Sequence, residues 1–188
     1  MTKIFLARHG ESAWNRERRF QGHADPPLTD EGRRQAAALA DDLADAPIEA
    51  VYTSDLARAR ETAEIVAQRK GVRVHVVSAL RENDIGSWTG LTAEEARARF
   101  PDDYRRWESG EGPGWSDGEQ YPEMAARVLA ALREIVAAHP GGSVLIVTHG
   151  GPVRAIRAHA HGLDYRASRR AFGGLANCEL CEVVLDPG

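Results

Sequence analysis

Short apolar runs alternate along the chain with longer stretches in which apolar residues recur at helical spacing. The runs predict strands at residues 4–7, 50–52, 72–77, 144–147 and 178–185, and the stretches predict helices at about 31–45, 56–69, 123–138 and from Pro152 onward. The runs IFLA and VLIV are continuous, as is typical of strands covered by helices on both faces. The pattern therefore predicts an α/β fold with a mainly parallel central sheet. The last run alternates more, so we expect it at an edge of the sheet.

One long segment lacks any periodicity. Residues 108–122, ESGEGPGWSDGEQYP, are rich in glycine and proline and predict a loop. The loop is either a plain connection or a lid that carries Trp115 over a site, because long loops in compact domains are often functional.

Composition places the chain among ordinary globular proteins. With 188 residues, of which 43% are hydrophobic and 28% charged, it has the size and balance of one domain, expected to span residues 1–188. The net charge of −4 argues against a nucleic-acid binder, since such proteins carry a basic excess. The early apolar run is too short for a signal peptide or a membrane span, so we expect no membrane association and a cytoplasmic location.

The sequence carries no motif for a metal or a nucleotide cofactor. HExxH, GxGxxG and GxxxxGK[ST] are all missing from the chain. The two cysteines, Cys178 and Cys181, lie three apart in a predicted strand and therefore point to opposite faces. We expect no metal site, no cofactor and no redox role for these thiols.

Two predicted strands end in the same way. IFLA leads into Arg8-His9-Gly and VLIV leads into Thr-His149-Gly. In open α/β sheets, ligands bind beyond the carboxyl ends of the strands, so both histidines fall where a site is expected. A third strand leads into SDLARARET, which places Arg58 in the first turn of a helix, where the helix dipole disfavours a cation.

These side chains suit a phosphate group. One guanidinium group can donate two hydrogen bonds to a phosphate at once, and an imidazole can donate a hydrogen bond or attack phosphorus. Phosphoryl transfer also needs a proton donor for the departing oxygen, and the turn LRENDIGSWTG offers Glu82 and Asp84. The residues alone do not choose between these two carboxyl groups.

Six segments in order carry a resemblance to a known family: RHGE (8–11), Asn15, PLTDEG (27–32), SDLARARET (54–62), LRENDIGSWTG (80–90) and THGG (148–151). Over residues 3 to 184 the chain resembles the histidine phosphatase superfamily, in its cofactor-dependent phosphoglycerate mutase-like branch. The resemblance implies a three-layer α/β/α sandwich and a metal-independent phosphohistidine mechanism. It implies that His9 is the nucleophile, that Glu82 is the proton donor, and that the phosphate pocket is formed by Arg8, Arg58 and His149. It also implies substrate contacts at Asn15, Gln21, Gly22 and Gly150.

A further question is whether the phosphoryl group is released to water or transferred by a mutase. The mutases that the chain resembles carry His-Tyr after the acid glutamate and a Gly-Leu-Asn-Lys segment shortly afterwards. Here the chain reads Glu82-Asn83-Asp84 and then Gly90-Leu91-Thr92-Ala93. We therefore expect a phosphomonoester hydrolase acting on a small phosphorylated metabolite, with a mutase or a non-catalytic phosphate-binding protein as alternatives.

Substrate recognition is open at this point. We place specificity in the segment 91–122, and two arginine groups are either substrate contacts or solvated surface: Arg16, Arg18 and Arg19, and the pair Arg105 and Arg106. The sequence does not fix the oligomeric state, and a homodimer is compatible with it.

Overall fold

The computed structural model describes residues 1–186, which form five strands and eight α-helices. The strands are β1 (Thr2–Arg8), β2 (Ala50–Thr53), β3 (Arg73–Val76), β4 (Ser143–Thr148) and β5 (Leu180–Leu185). The helices are α1 (Ala13–Arg16), α2 (Asp30–Asp42), α3 (Ala57–Lys70), α4 (Ala93–Arg99), α5 (Pro101–Ser109), α6 (Tyr121–Ala138), α7 (Gly150–Ala160) and α8 (Tyr165–Phe172). Within these residues, no helix combines the length and the apolar character needed to cross a membrane.

The strands form one sheet in the order β3-β2-β4-β1-β5. The first four are parallel to one another, and β5 runs antiparallel to β1 at the edge. The mainly parallel sheet and the edge position of the last strand are therefore confirmed.

Alternate side chains of the strands enter two separate cores. Ile4 and Leu6 of β1 pack with α6 and α7 on one face of the sheet. Phe5 and Ala7 pack with α2 and α3 on the other face. Burial on both faces explains why β1 is apolar at successive positions, and it confirms the three-layer α/β/α sandwich.

The register of the sheet brings three strand ends to one level. Arg8 pairs with Thr148, and Thr53 pairs with Val147. The residues that follow β1, β2 and β4 are therefore neighbours at the carboxyl edge of the sheet. This edge is where ligands bind in open α/β folds.

Several element boundaries differ from those predicted. The loop predicted at 108–122 is shorter, because α5 continues to Ser109 and α6 begins at Tyr121. The helix expected from Pro152 begins at Gly150. The last strand begins at Leu180 instead of residue 178, since Cys178 adopts a left-handed φ of 56° that a strand does not accommodate. The two cysteine side chains contact opposite cores, as expected.

Four short helices were not predicted, and α1, with four residues, is the shortest of them. Helices α4, α5 and α8 have seven to nine residues and many charged side chains, so their apolar faces are narrow. The first two are held by a third apolar cluster around Trp88, Tyr104 and Trp115. Packing of these aromatic rings, rather than local periodicity, stabilises the segment.

Two glycines allow the end of β1 and the start of α2 to meet backbone to backbone. A Cβ atom on Gly32 would lie 2.2 Å from the Glu11 carbonyl oxygen, and one on Gly10 would lie 2.5 Å from the Gly32 carbonyl oxygen. Both neighbours are main-chain atoms and cannot rotate away. Helix α2 therefore fixes the segment that follows His9.

We expect Gly32→Ala to lower the free energy of unfolding by roughly 1–3 kcal/mol through this overlap. The loss should outweigh the ~1 kcal/mol by which alanine favours a helix over glycine. Urea denaturation measures the change. Gly112→Ala is the control, because a Cβ atom there meets nothing within 4 Å. A Gly32→Ala protein as stable as the wild type would contradict the close approach.

Candidate active site

His9 follows β1 and is only 2% exposed. Its Nδ1 lies 2.7 Å from the Gly10 carbonyl oxygen, so Nδ1 carries the proton and donates to that oxygen. The other ring nitrogen, Nε2, accepts a hydrogen bond from Arg58 Nε over 3.3 Å. Nε2 is therefore unprotonated, and its lone pair points toward Arg58.

Arg58 is 1% exposed and occupies the first turn of α3. Its Nη1 donates to the Ala24 carbonyl oxygen over 2.7 Å, and its Nη2 donates to the Gly22 carbonyl oxygen over 2.9 Å. These bonds and the contact with His9 compensate for the unfavourable helix dipole. Burial lowers the pKa of Arg58 to about 10, so the guanidinium remains charged at neutral pH.

His149 follows β4 and is fully buried, with its ring centroid 5.2 Å from that of His9. The Ser54 hydroxyl, which follows β2, lies 2.7 Å from His149 Nε2. When Ser54 donates to Nε2, the proton of His149 lies on Nδ1, a buried atom with no hydrogen-bond partner in the described residues. The sequence analysis missed Ser54, although its place directly after a buried strand was a usable signal.

Both imidazoles are uncharged at neutral pH. Burial lowers the pKa of His9 well below its usual value, and the positive charges of Arg58 and Arg8 lower it further. Burial also lowers the pKa of His149 strongly, with Arg58 as the largest charge contribution. A neutral imidazole is the form in which His9 Nε2 can act as a nucleophile.

Arg8, which precedes His9, and Glu82 line a cavity whose described wall residues do not include His9, Arg58 or His149. Arg8 Nη1 donates to the Leu175 carbonyl oxygen over 2.8 Å, and its buried Nε has no partner in the described residues. The Glu82 carboxylate accepts the Gly151 backbone N–H at the start of α7, at 3.1 and 3.3 Å. Asp84, the other carboxyl group considered, is exposed and accepts the Gly86 backbone N–H instead.

Arg127 of α6 holds the backbone that carries Glu82. Its guanidinium donates to the carbonyl oxygens of Ala79, Arg81 and Glu82, and each of these hydrogen bonds is 2.8 Å long. It also forms a two-pronged ion pair with Glu119, at 2.6 and 2.7 Å. All five N–H donors of Arg127 are therefore used. No local signal marks this residue, since an arginine on an amphipathic helix normally faces solvent.

The four predicted substrate-contact residues divide into two pairs. Gly22 and Gly150 line the same cavity as Arg8 and Glu82. Asn15 instead caps the turn at Ser12, and the Gln21 side-chain oxygen accepts the Ser12 hydroxyl over 2.7 Å. Asn15 and Gln21 are not among the described residues that line the cavity.

The cavity has a volume of about 250 Å³ and largely aromatic walls. The predicted loop contributes Trp115, which is 9% exposed and whose Nε1 donates to the Glu119 carbonyl oxygen over 2.8 Å. The other apolar and aromatic wall residues are Phe20, Ile85, Trp107, Pro113, Tyr121, Tyr165 and Leu175. The segment 91–122, in which we expected specificity, supplies four of these residues.

The two arginine groups considered as substrate contacts lie elsewhere. None of the described residues that line the cavity belongs to them: Arg16, Arg18, Arg19, Arg105 and Arg106. Arg19 donates to the Gly90 carbonyl oxygen and pairs with Glu95, while Arg105 is exposed and pairs with Asp102. A different arginine, Arg154 of α7, lines the cavity, and the sequence analysis missed it.

The described residues form no cluster suited to bind a metal ion. Within residues 1–186, no group of three or more His, Cys, Asp or Glu side chains is placed to hold a metal ion. The charged groups around the two histidines are instead guanidinium groups and one carboxylate.

The family model of the histidine phosphatase superfamily (branch 1) matches residues 4–188. The chain belongs to this superfamily. The resemblance carried by the motifs RHGE and THGG is thereby confirmed.

Relatives of this histidine phosphatase include both phosphatases and mutases. A metal-independent phosphoserine phosphatase of Arabidopsis thaliana is 39% identical over 163 residues, which are 83% of this chain and 67% of that protein. The probable phosphoglycerate mutase GpmB of Salmonella arizonae is 36% identical over 189 positions, covering 97% of this chain and 85% of that protein. The structure of the mycobacterial glucosyl-3-phosphoglycerate phosphatase Rv2419c with VO3 has a TM-score of 0.89 and 32% identity, covering 96% of this chain and 90% of that one.

The two buried histidines predict an acid-sensitive fold. In the unfolded chain a histidine titrates near pH 6.5, whereas His9 and His149 stay neutral in the folded protein to well below that value. As the pH falls below 6.5, the unfolded state binds protons that the folded state does not. Stability should therefore fall by up to about 1.4 kcal/mol per pH unit for each histidine.

Thermal denaturation between pH 7 and pH 5 measures this loss. We expect the Tm of the wild type to fall more steeply than that of a His9→Gln, His149→Gln double variant. His159→Gln, which changes an exposed histidine of α7, should keep the wild-type slope. Parallel slopes for the wild type and the double variant would show that these imidazoles do not titrate as described.

Proposed function

We propose that this chain is a phosphomonoester hydrolase that forms a covalent phosphohistidine on His9. The observation that carries the proposal is a neutral imidazole whose unprotonated Nε2 accepts a hydrogen bond from a buried guanidinium at 3.3 Å. Arg8 Nε and His149 Nδ1 add two buried groups with unused hydrogen-bonding capacity in the described residues. Together these groups offer a nucleophile and several donors to one phosphoryl group.

In the first step, His9 Nε2 attacks phosphorus as the bond to the leaving oxygen breaks. The proton stays on Nδ1 and keeps its hydrogen bond to the Gly10 carbonyl oxygen, which stabilises the positive charge that develops on the ring. Arg8, Arg58 and His149 donate to the equatorial oxygens. The electron pair of the broken bond stays with the leaving oxygen, which takes a proton from Glu82.

In the second step, water attacks the phosphohistidine. Glu82 is now a carboxylate and accepts a proton from this water, while the bond between nitrogen and phosphorus breaks and returns its electron pair to Nε2. The products are inorganic phosphate and neutral His9. The bond from Gly151 N–H to the Glu82 carboxylate fixes the same group for both proton transfers.

The donors act by preorganisation. Arg58 is already held by the Gly22 and Ala24 carbonyl oxygens, so it does not reorganise when charge develops on phosphorus. Removing one such donor should cost roughly 3 kcal/mol of transition-state stabilisation, on the order of a hundredfold in rate.

Release to water is favoured over transfer back to an alcohol. The position after Glu82 is Asn83, whose amide donates to the Glu119 carbonyl oxygen, and Thr92 caps helix α4. At these positions the chain therefore builds its own loops, where the mutases it resembles carry His-Tyr and Asn-Lys, and Ala93 stands in the place of the lysine. The phosphatases among its relatives support the same choice.

We expect His9→Ala to abolish turnover, because the nucleophile is lost. Purified protein is incubated with p-nitrophenyl phosphate and with 3-phosphoglycerate, following release of phosphate and formation of 2-phosphoglycerate, and acid-labile phosphate is trapped on the wild type. His159→Ala is the matched control and should leave turnover unchanged. Turnover by His9→Ala, or dependence on a divalent ion that chelation removes, would contradict the mechanism. Formation of 2-phosphoglycerate without phosphate release would identify a mutase.

We expect Glu82→Gln to lower kcat/KM for glycerol phosphate by about 10²- to 10⁴-fold, since an alkoxide needs a proton to depart. For p-nitrophenyl phosphate, whose leaving group is stable as an anion, the loss in kcat/KM should stay below about tenfold. Rapid mixing should then show a burst of p-nitrophenolate, because the variant hydrolyses the phosphohistidine slowly. Asp84→Asn serves as the control. Equal losses for both esters would assign the proton donor elsewhere.

A further inference from the structure

We propose that Arg154 binds a carboxylate on the leaving group, and that the substrate is a phosphomonoester of an aromatic or apolar carboxylic acid without an ammonium group. This inference rests on the proposed phosphatase function and names the substrate class for the same cavity. Its basis is a cation in the cavity wall that the phosphoryl chemistry does not use.

Arg154 lies one helical turn after Gly150 on α7 and lines the cavity. Its Nε is buried and has no hydrogen-bond partner in the described residues. Its Nη2 reaches only the Gly173 carbonyl oxygen, at 3.4 Å, and no carboxylate of residues 1–186 lies within ion-pair distance. A buried N–H donor without a partner is costly, and an anion from outside the chain would satisfy it.

The position of Arg154 separates it from the phosphoryl group. Arg154 lines the cavity together with Arg8, whereas His9, Arg58 and His149 are not among the described residues that line it. Arg8 is therefore the arginine of the phosphate pocket that reaches the cavity, and Arg154 belongs to the cavity wall alone. A ligand that fills the cavity would place its phosphate near His9 and its far end near Arg154.

Tyr121 adds a polar group beside Arg154. Burial raises the pKa of Tyr121 to about 12, so its hydroxyl stays neutral and can donate a hydrogen bond. The nearby Ser168 hydroxyl already donates to the Tyr165 carbonyl oxygen. The Tyr121 and Tyr165 rings lie 3.7 Å apart between centroids, tilted by 43° to each other, and both residues line the cavity.

The remaining walls select the body of the leaving group. Trp107, Trp115 and Phe20 provide apolar surface, and the Trp115 N–H and the Asn83 amide are already bonded to the Glu119 carbonyl oxygen. This aromatic part of the wall therefore offers few hydrogen-bond partners to the hydroxyl groups of a sugar. Among the described residues that line the cavity, Glu82 supplies the single carboxylate, and it serves the reacting oxygen. An ammonium group at the far end would therefore face Arg154 with no counter-charge.

Three esters of one ring test the proposal: phenyl phosphate, carboxyphenyl phosphate (3- and 4-isomers, assayed separately) and tyramine phosphate. For the wild type we expect the highest kcat/KM with a carboxyphenyl ester and the lowest with tyramine phosphate. Arg154→Met should raise KM for that carboxyphenyl ester by roughly 10- to 100-fold, the effect of losing a charge-assisted pair, with kcat nearly constant. KM for phenyl phosphate should change by less than about twofold.

Arg105→Met is the matched control, because it removes one exposed positive charge that lies outside the cavity. Arg154→Lys, which keeps the charge but not the guanidinium fork, should give an intermediate KM, and circular dichroism checks the fold of each variant. Turnover of all three esters without a preference for the carboxylate would overturn the inference and leave the proposed function intact. Equal slowing of every ester by Arg154→Met would also overturn it, since Arg154 would then act on the phosphoryl group. Absence of any turnover by the wild type would instead refute the phosphatase function and the inference with it.

Discussion

The site depends on a buried positive charge that forms no ion pair within residues 1–186. Arg58 is almost fully buried, yet its terminal nitrogens donate to backbone carbonyl oxygens rather than to a carboxylate. Taking an unpaired charge out of water is costly, and the carbonyl dipoles offset only part of that cost. The same charge, together with burial, keeps His9 and His149 neutral. One arrangement therefore creates both an anion site and an unprotonated nucleophile.

The sheet makes this arrangement possible. Parallel pairing of β1, β4 and β2 places His9, His149 and Ser54 side by side, although they are far apart in sequence. Each side chain is then oriented by a bond made behind it: Gly10 fixes His9, and Ser54 fixes His149. Glu82 comes from a loop rather than a strand end, and Arg127 supplies the rigidity that the loop lacks. Orientation by such surrounding bonds is what permits catalysis without reorganisation.

The aromatic cluster next to the sheet serves stability and recognition at once. Trp88 is fully buried in it, while Trp107 and Trp115, which contact the Trp88 ring, also line the cavity. Segments of this kind tolerate variation more easily than the strand ends, because their contacts are apolar and largely non-directional. The phosphoryl site and the leaving-group site are therefore built from different physical interactions. Such a division suits a superfamily whose members include phosphatases and mutases.

The sequence by itself determined the features that depend on residues close to one another in the chain. Continuous apolar runs specified a sheet buried on both faces, and the residues directly after two of them specified His9 and His149, because parallel strands share one carboxyl edge. Arg58 was marked by its conflict with the helix dipole. Only the tertiary structure decided which other side chains reach the site. Ser54, Arg127 and Arg154 act through contacts with residues 45 to 95 positions away or through the shape of a cavity. Helices α4 and α5 escaped prediction for the same reason, since packing of the aromatic cluster stabilises these short segments.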